Sequence, residues 1–258
     1  MSHYTKTFFL VFFCILITGF NIAQDNSIYD ALLKDYVKNG LVDYEHLKSD
    51  VRLDNYLEQL SKTDPDKFPD KNSEMAFWIN AYNAFTLKVV SENYPLRSIT
   101  ELNNGGKLLN DLPGKTVWDK KFITINDKKI SLNYIENNML RGKFNDPRIH
   151  FAIVCASISC PPLRPESYNS TNLVKQLNDQ AKIFFNDTTR NSFNLKGRVA
   201  NLSHVLDWFG KDFGNNDKEK LIFVSFFLFK EISNEIVIHT SEWSIKYKDY
   251  NWGLNSIR

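Results

Sequence analysis

An α+β fold follows from three features of the sequence. One long stretch is helical and apolar almost all round, several further segments carry helical periodicity, and the strand patterns are short and come as hairpins rather than alternating with helices. The architecture expected is a single domain of about seven helices around a small, mostly antiparallel sheet, with the long helix buried at its centre.

Residues 27–38 form the first helical pattern, with Tyr29, Leu32, Leu33, Tyr36 and Val37 on one stripe and Gly40 just past its end. A second pattern covers 44–60. Leu53, Tyr56, Leu57 and Leu60 are in phase, whereas Tyr44, Leu47 and Val51 are not, which predicts a start or bend near Ser49-Asp50. The central helix covers 73–93. It contains neither Gly nor Pro and stops before Pro95. Residues 96–113 read as an irregular connection with a turn at Asn103-Asn104-Gly105-Gly106. Alternation over 121–125 and 129–132, around Asn126-Asp127-Lys128, predicts a hairpin, after which Ser131 caps a helix to 140. The run IHFAIVC (149–155) is almost wholly apolar and reads as a buried strand, leading into a loop built on Pro161, Pro162 and Pro165. A helix over 171–186, a hairpin over 193–202, a helix over 204–209 capped by Ser203, a very apolar helix over 218–230 and a final strand over 236–238 complete the chain.

Residues 1–24 read as a secretory signal peptide, leaving a single domain over 25–258. Lys6 precedes an apolar run of 13 residues (8–20, FFLVFFCILITGF), which suits a signal core and is short for about 30 Å of hydrocarbon. An uncleaved anchor is the competing reading. Cys14 follows bulky Val11-Phe12-Phe13, unlike a lipidated cysteine. The expected product is exported, periplasmic or extracellular, with no stable membrane insertion after cleavage. The 258 residues carry 32 Lys+Arg against 30 Asp+Glu, a net charge of +2, which gives no electrostatic footprint for nucleic acid.

Two clusters carry chemistry. Asn80 and Asn83 sit three apart on the central helix and share a face. They either bond neighbouring backbone or line a pocket and orient a substrate. Glu74, in the first turn of that helix, suits either the helix dipole or catalysis. The second cluster is His150, Cys155, Cys160 and Arg164. A thiol with a nearby imidazole suits nucleophilic chemistry. On a regular strand, however, His150 and Cys155 fall on opposite faces and about 16 Å apart, so a direct dyad needs the strand to end or bulge; otherwise the partner is His204, His239 or His46. With Cys14 removed, Cys155 and Cys160 are the remaining pair, and an oxidising compartment favours their disulfide. A reactive Cys155 and inert buried thiols are the other readings. Arg164 suits a carboxylate clamp or a surface ion pair. No metal-ligand pattern, nucleotide loop or other cofactor motif is present, so neither metal nor cofactor is expected.

EMAFWINAYNAFTLKVV (74–90), DPRIHFAIVCASISCPPLRP (146–165), LSHVLDWFGKDF (202–213) and YNWGLN (250–255) together resemble the domain of unknown function 547 family. The resemblance implies a single α+β domain and an exported or envelope role, with no established activity. It points to Glu74, Asn80, Tyr82, Asn83, His150, Cys155, Cys160 and Arg164. Ala156 stands where that family often has Gly, and Gly253 where Ser is usual; the first departure weakens a mechanism needing a very tight turn after Cys155. Two functions follow as expectations. One is an envelope hydrolase or acyl/amide transferase using Cys155, with His150 as base or orienter and Asn80 or Asn83 holding the geometry. The other is a non-enzymatic domain for a small molecule or peptide, its pocket walled by Trp78, Tyr82, Trp118 and Trp208, with a structural Cys155–Cys160 disulfide. A purely structural envelope protein, without a cleft where the clusters meet, is the third.

Overall fold

The computed structural model describes residues 24–103 and 116–257. All but Gln24 of the expected signal peptide, and all but Asn103 of the turn before residue 107, lie outside the described residues.

The chain forms a single α+β domain built on a central helix. Helices α1 (Ser27–Tyr36), α2 (Tyr44–Leu47) and α3 (Val51–Lys62) pack around α4 (Lys71–Glu92). The bend expected near Ser49-Asp50 is the break between α2 and α3, where Asp50 accepts the backbone N–H of Arg52 and caps α3. Helix α1 ends two residues earlier than its pattern suggests. Val37–Lys38 (β1) instead pairs antiparallel with Leu41–Val42 (β2) across Asn39-Gly40, both at positive φ. A Cβ on Gly40 would lie 2.4 Å from the Pro162 Cβ, so glycine is what lets this hairpin close on the proline-rich loop.

Asp70 caps α4 by accepting from Ser73 N–H, and the helix is buried over most of its length, as its all-round apolarity predicts. The expected hairpin is β3 (Ile123–Ile125) with β4 (Lys128–Ile130), turned by Asn126 and Asp127 at positive φ. Ser131 then caps one continuous helical run: α5 (Leu132–Tyr134), a π-helical segment (Ile135–Arg141) and α6 (Gly142–Phe144).

Other sequence expectations fail. Residues 149–155 are not a strand. Asp146-Pro147 opens a helical turn, α7 (Ile149–Ala152), in which Asp146 accepts from Arg148 N–H and its carbonyl from Ile149 N–H. The chain is extended only from Ile153. An apolar run of this length does not distinguish a strand from a buried helical turn; the Asp-Pro start signal does. The helix expected over 218–230 ends at Ser225 (α11, Asp217–Ser225), and residues 236–238 belong to α12 (Lys230–Ile238) rather than to a strand. Ile232 and Ile236, four apart, face the core, while Val237 and Ile238 point outward.

The last strand is β7 (Ser244–Lys248), whose alternating Ile245 and Tyr247 went unread. It pairs in parallel with β6 (Val199–Ser203), which also pairs antiparallel with β5 (Ser192–Asn194). The described strands thus form two hairpins and one three-stranded sheet rather than the one small sheet expected. Helix α8 (Leu173–Asn186) packs on α7, and α9 (Val205–Trp208) and α10 (Gly210–Phe213) follow β6.

The apolar interior divides in two. One cluster surrounds α4; the other is a phenylalanine stack of Phe151, Phe184, Phe185, Phe213, Phe223 and Phe227. Ile149 and Ala152 lie in the first and Phe151 in the second, so α7 is the seam between them. Among the described residues no helix is long and apolar enough to cross a membrane.

The two central asparagines act on backbone. Asn80 donates to Tyr168 C=O (2.8 Å) and accepts from Tyr168 N–H (2.9 Å). Asn83 donates to Ala152 C=O (2.9 Å) and accepts from Val154 N–H (2.9 Å). Each buried amide mimics a strand neighbour for a segment that has none. Asn80→Ala orphans both polar groups of Tyr168 and should cost about 2–4 kcal/mol in urea denaturation. Asn93→Ala, at the exposed end of α4, should cost under about 1 kcal/mol. Equal losses in the two variants would exclude the bridging role.

Candidate active site

Where the two clusters meet, a cavity of about 190 Å³ opens. Its floor carries Tyr82 from α4, Glu136 from the π-helical segment, His150 from α7, and Cys155 and Cys160 from the loop beyond. Its wall is aromatic: Trp208, Tyr250 and Trp252 touch one another, with Trp208 and Trp252 stacked at 5.6 Å and Tyr250 tilted against Trp252 at 4.6 Å, and Trp118 meets Trp252 edge-on.

The loop after Cys155 turns sharply. Ala156 takes φ +57°, a left-handed conformation that costs a non-glycine residue about 1–2 kcal/mol. The tight turn therefore forms with alanine at this position. The C-terminal YNWGLN stretch holds it in place. Asn255 N–H donates to Ala156 C=O, Ile158 N–H to Gly253 C=O, and Ser159 N–H to Asn251 C=O. Asn255 is itself clamped by the Tyr44 hydroxyl and donates to Gly40 C=O. A Cβ on Gly253 would lie 2.9 Å from Asn251 Oδ1, so a serine there would displace that side chain.

Cys155 and Cys160 are free thiols, and the expected disulfide is not formed. Instead the Cys155 N–H donates to Cys160 Sγ at 2.8 Å. Cys155 Sγ lies 3.1 Å from the Tyr250 hydroxyl and 3.2 Å from Ser157 Oγ, and the Ser157 hydroxyl also reaches Tyr250 (3.0 Å). Burial raises the Cys155 thiol, but the neighbouring Cys160 thiol and the hydroxyls of Ser157 and Tyr250 outweigh this and hold it below the ordinary thiol value. Burial, and then Cys155 itself, push Cys160 well up. Of the pair, Cys155 is the one that ionises.

His150 is almost wholly buried, stacked on Phe209 at 4.2 Å. Its Nε2 donates to Asp212 Oδ2 (2.7 Å), a carboxylate also gripped by Arg141 at 2.6 and 2.9 Å. Its Nδ1 is thereby left unprotonated, 4.0 Å from Glu136 Oε1. Burial pushes His150 down to about 4 against the pull of Asp212. Glu136 accepts from the Tyr82 hydroxyl at 3.4 Å, and burial pushes it up to about 7.

Of the residues expected from sequence, the cavity gathers His150, Cys155, Cys160, Tyr82, Trp118 and Trp208. It does not gather Asn80 or Asn83, which hold backbone behind it. Glu74 bonds Lys143 and Trp78 Nε1, and Trp78 lines a separate hollow beside Tyr134. Arg164 pairs with Glu166 and lies over the Tyr168 ring. None of His46, His204 and His239 lines the cavity. The separation of about 16 Å that kept His150 from Cys155 assumed a strand, and with α7 in its place both residues reach one cavity. Sequence reasoning missed Glu136, Asp212, Ser157, Tyr250 and Trp252. The last two lie in YNWGLN and Asp212 in LSHVLDWFGKDF, both quoted for the resemblance; Glu136 carried no signal. Among the described residues no cluster of His, Cys, Asp and Glu is arranged to hold a metal ion.

Fold and site thus define an α+β domain with a cavity-lining thiol in a turn behind its central helix. Residues 65–185 match the model of the family described as Protein of unknown function, DUF547, so this stretch belongs to the family that the motifs resemble. It holds α4, Glu136, His150, Cys155 and Cys160, while Asp212, Tyr250 and Trp252 lie beyond it. No curated protein and no solved structure matches the chain.

The two buried titrating groups act oppositely on stability. His150 charges near 6.5 when unfolded but only near 4 when folded, so its contribution is lost as pH falls from 6.5 toward 4. Glu136 ionises near 4.5 when unfolded but near 7 when folded, so its contribution is lost as pH rises from 4.5 toward 7. Between pH 4.5 and 6.5 the slopes cancel. Relative to wild type, Glu136→Gln should therefore lose stability on acidification through this window, by at most about 1.4 kcal/mol per pH unit in urea midpoints. Parallel pH profiles for the two proteins would refute the assignment.

Proposed function

We propose that the protein is an exported, cysteine-dependent hydrolase or acyl/amide transferase with Cys155 as its nucleophile. The observation that carries this reading is the setting of the Cys155 sulfur, which lines the cavity and is met by Cys160, Ser157 and Tyr250. The thiolate is the attacking form, and donors aimed at sulfur favour it before substrate arrives. Asp212 fixes the His150 ring and its tautomer, leaving Nδ1 on the side of Glu136. The aromatic wall supplies stacking surface for the acyl donor.

Incubation with p-nitrophenyl acetate should release a burst of p-nitrophenolate and leave an acetyl group on Cys155, located by peptide mass spectrometry. Cys155→Ser should abolish both. An adduct that forms elsewhere, or survives in Cys155→Ser, excludes the nucleophile. A small ligand that raises Tm equally in wild type and in the Cys155→Ser/Cys160→Ser protein, with no adduct formed, would favour a binding domain instead.

Export rests on residues 1–24. N-terminal sequencing of protein recovered from the native cell envelope or medium should begin at Asp25; recovery with Met1 retained excludes cleavage.

A further inference from the structure

Among the described residues that line the cavity, Glu136 is the one carboxyl and none is Lys or Arg. It is 7% exposed and has no ion-pair partner in hydrogen-bond reach. Arg141, on the same helical segment, directs its guanidinium to Asp212 and Asn137. The Tyr82 hydroxyl from α4 and His150 Nδ1 from α7 face Glu136, and the charges of Arg141, Cys155 and Asp212 from α10 also act on it. A buried carboxyl so thinly partnered costs stability, and stability alone gives no reason for a glutamate here. The backbone that carries it is π-helical over Ile135–Arg141, a wide turn that recurs at functional sites.

We propose that Glu136 is the catalytic acid and base of this site, an inference that rests on Cys155 being the nucleophile. The Cys155 thiolate attacks the carbonyl carbon and a C–S bond forms. As the C–N or C–O bond to the leaving group breaks, the departing amine or alcohol takes the Glu136 proton. The resulting carboxylate then takes a proton from the water, or acceptor amine or alcohol, that attacks the thioester. The new bond forms, the C–S bond breaks, and the thiolate and protonated Glu136 are restored. His150 is poorly suited to this traffic. Its Nε2 proton is held by Asp212, and an imidazole that charges only near pH 4 has no second proton to give at neutral pH. It is instead a positioning residue.

Glu136→Gln separates the steps, because p-nitrophenolate leaves without a proton whereas hydrolysis of the acetyl-thioester needs a base. The variant should still acetylate Cys155, while deacetylation slows by roughly 10²–10⁴-fold. With the negative charge gone, its iodoacetamide labelling at Cys155 should also reach half-maximum at lower pH than in wild type. Deacetylation within threefold of wild type, or an unshifted labelling curve, overturns the role of Glu136 while leaving Cys155 as nucleophile. Absence of any acetyl-Cys155 in wild type overturns both. Should Glu136→Gln not fold, infrared spectra of the wild type decide. A protonated-carboxyl band that persists above the ordinary glutamate range supports the proposal, and its absence overturns it.

Discussion

The site depends on one side chain that takes no part in its chemistry. Asn83 offers its amide to the carbonyl of Ala152 and the N–H of Val154, and so ties the segment just before Cys155 to the central helix. The segment between α7 and the cysteine loop has no strand neighbour at that point. Without the amide, two buried backbone groups would lose their partners, and each such loss costs about 1–3 kcal/mol. Asn80 does the same at Tyr168, on the far side of the proline-rich loop. The two together fix both ends of the stretch that carries Cys155 and Cys160. The two buried amides of a mostly apolar helix both serve this purpose.

From that anchoring follows the setting of the thiol. The turn through Ala156 is held by the C-terminal stretch, whose backbone pairs with it and whose Tyr250 reaches the sulfur. The polar groups come from separate parts of the chain: Tyr82 from the central helix, Glu136 from the π-helical segment, Asp212 from α10. They face one another because α7 joins the aliphatic cluster to the phenylalanine stack, and burial at such a seam moves titrations far from their ordinary positions. Glu136 pushed up and His150 pushed down are two consequences of one environment. Which of them can hand over a proton near neutrality is decided by burial, not by residue type.

Much of this was legible along the chain. Periodicity gave the helices, the out-of-phase residues gave the break at Asp50, and Asn126-Asp127 gave the β3–β4 turn. The clustering of His150, Cys155 and Tyr82 in two dense segments identified three groups that share the cavity. Errors arose where a local pattern had two physical solutions. A short apolar run fits a strand or a buried helical turn, and in 149–155 the Asp146-Pro147 start signal outweighed it. Residues 236–238 failed in the same way, because three apolar residues in a row have no measurable period. Glu136 could not be found at all: one glutamate in an amphipathic helix looks like any surface carboxylate until its burial is known.

The order of residues by itself determined the α+β class, the buried central helix, the family of residues 65–185 and the reactive residue types, because these depend on spacing and chemistry within short windows. Only the tertiary structure decided that Cys155 and Cys160 stand as hydrogen-bonded thiols, that Asn80 and Asn83 serve backbone rather than ligand, and that Glu136, Asp212 and Tyr250 join the site. Each of those depends on contacts across tens of residues, and on a degree of burial that no local window of sequence records.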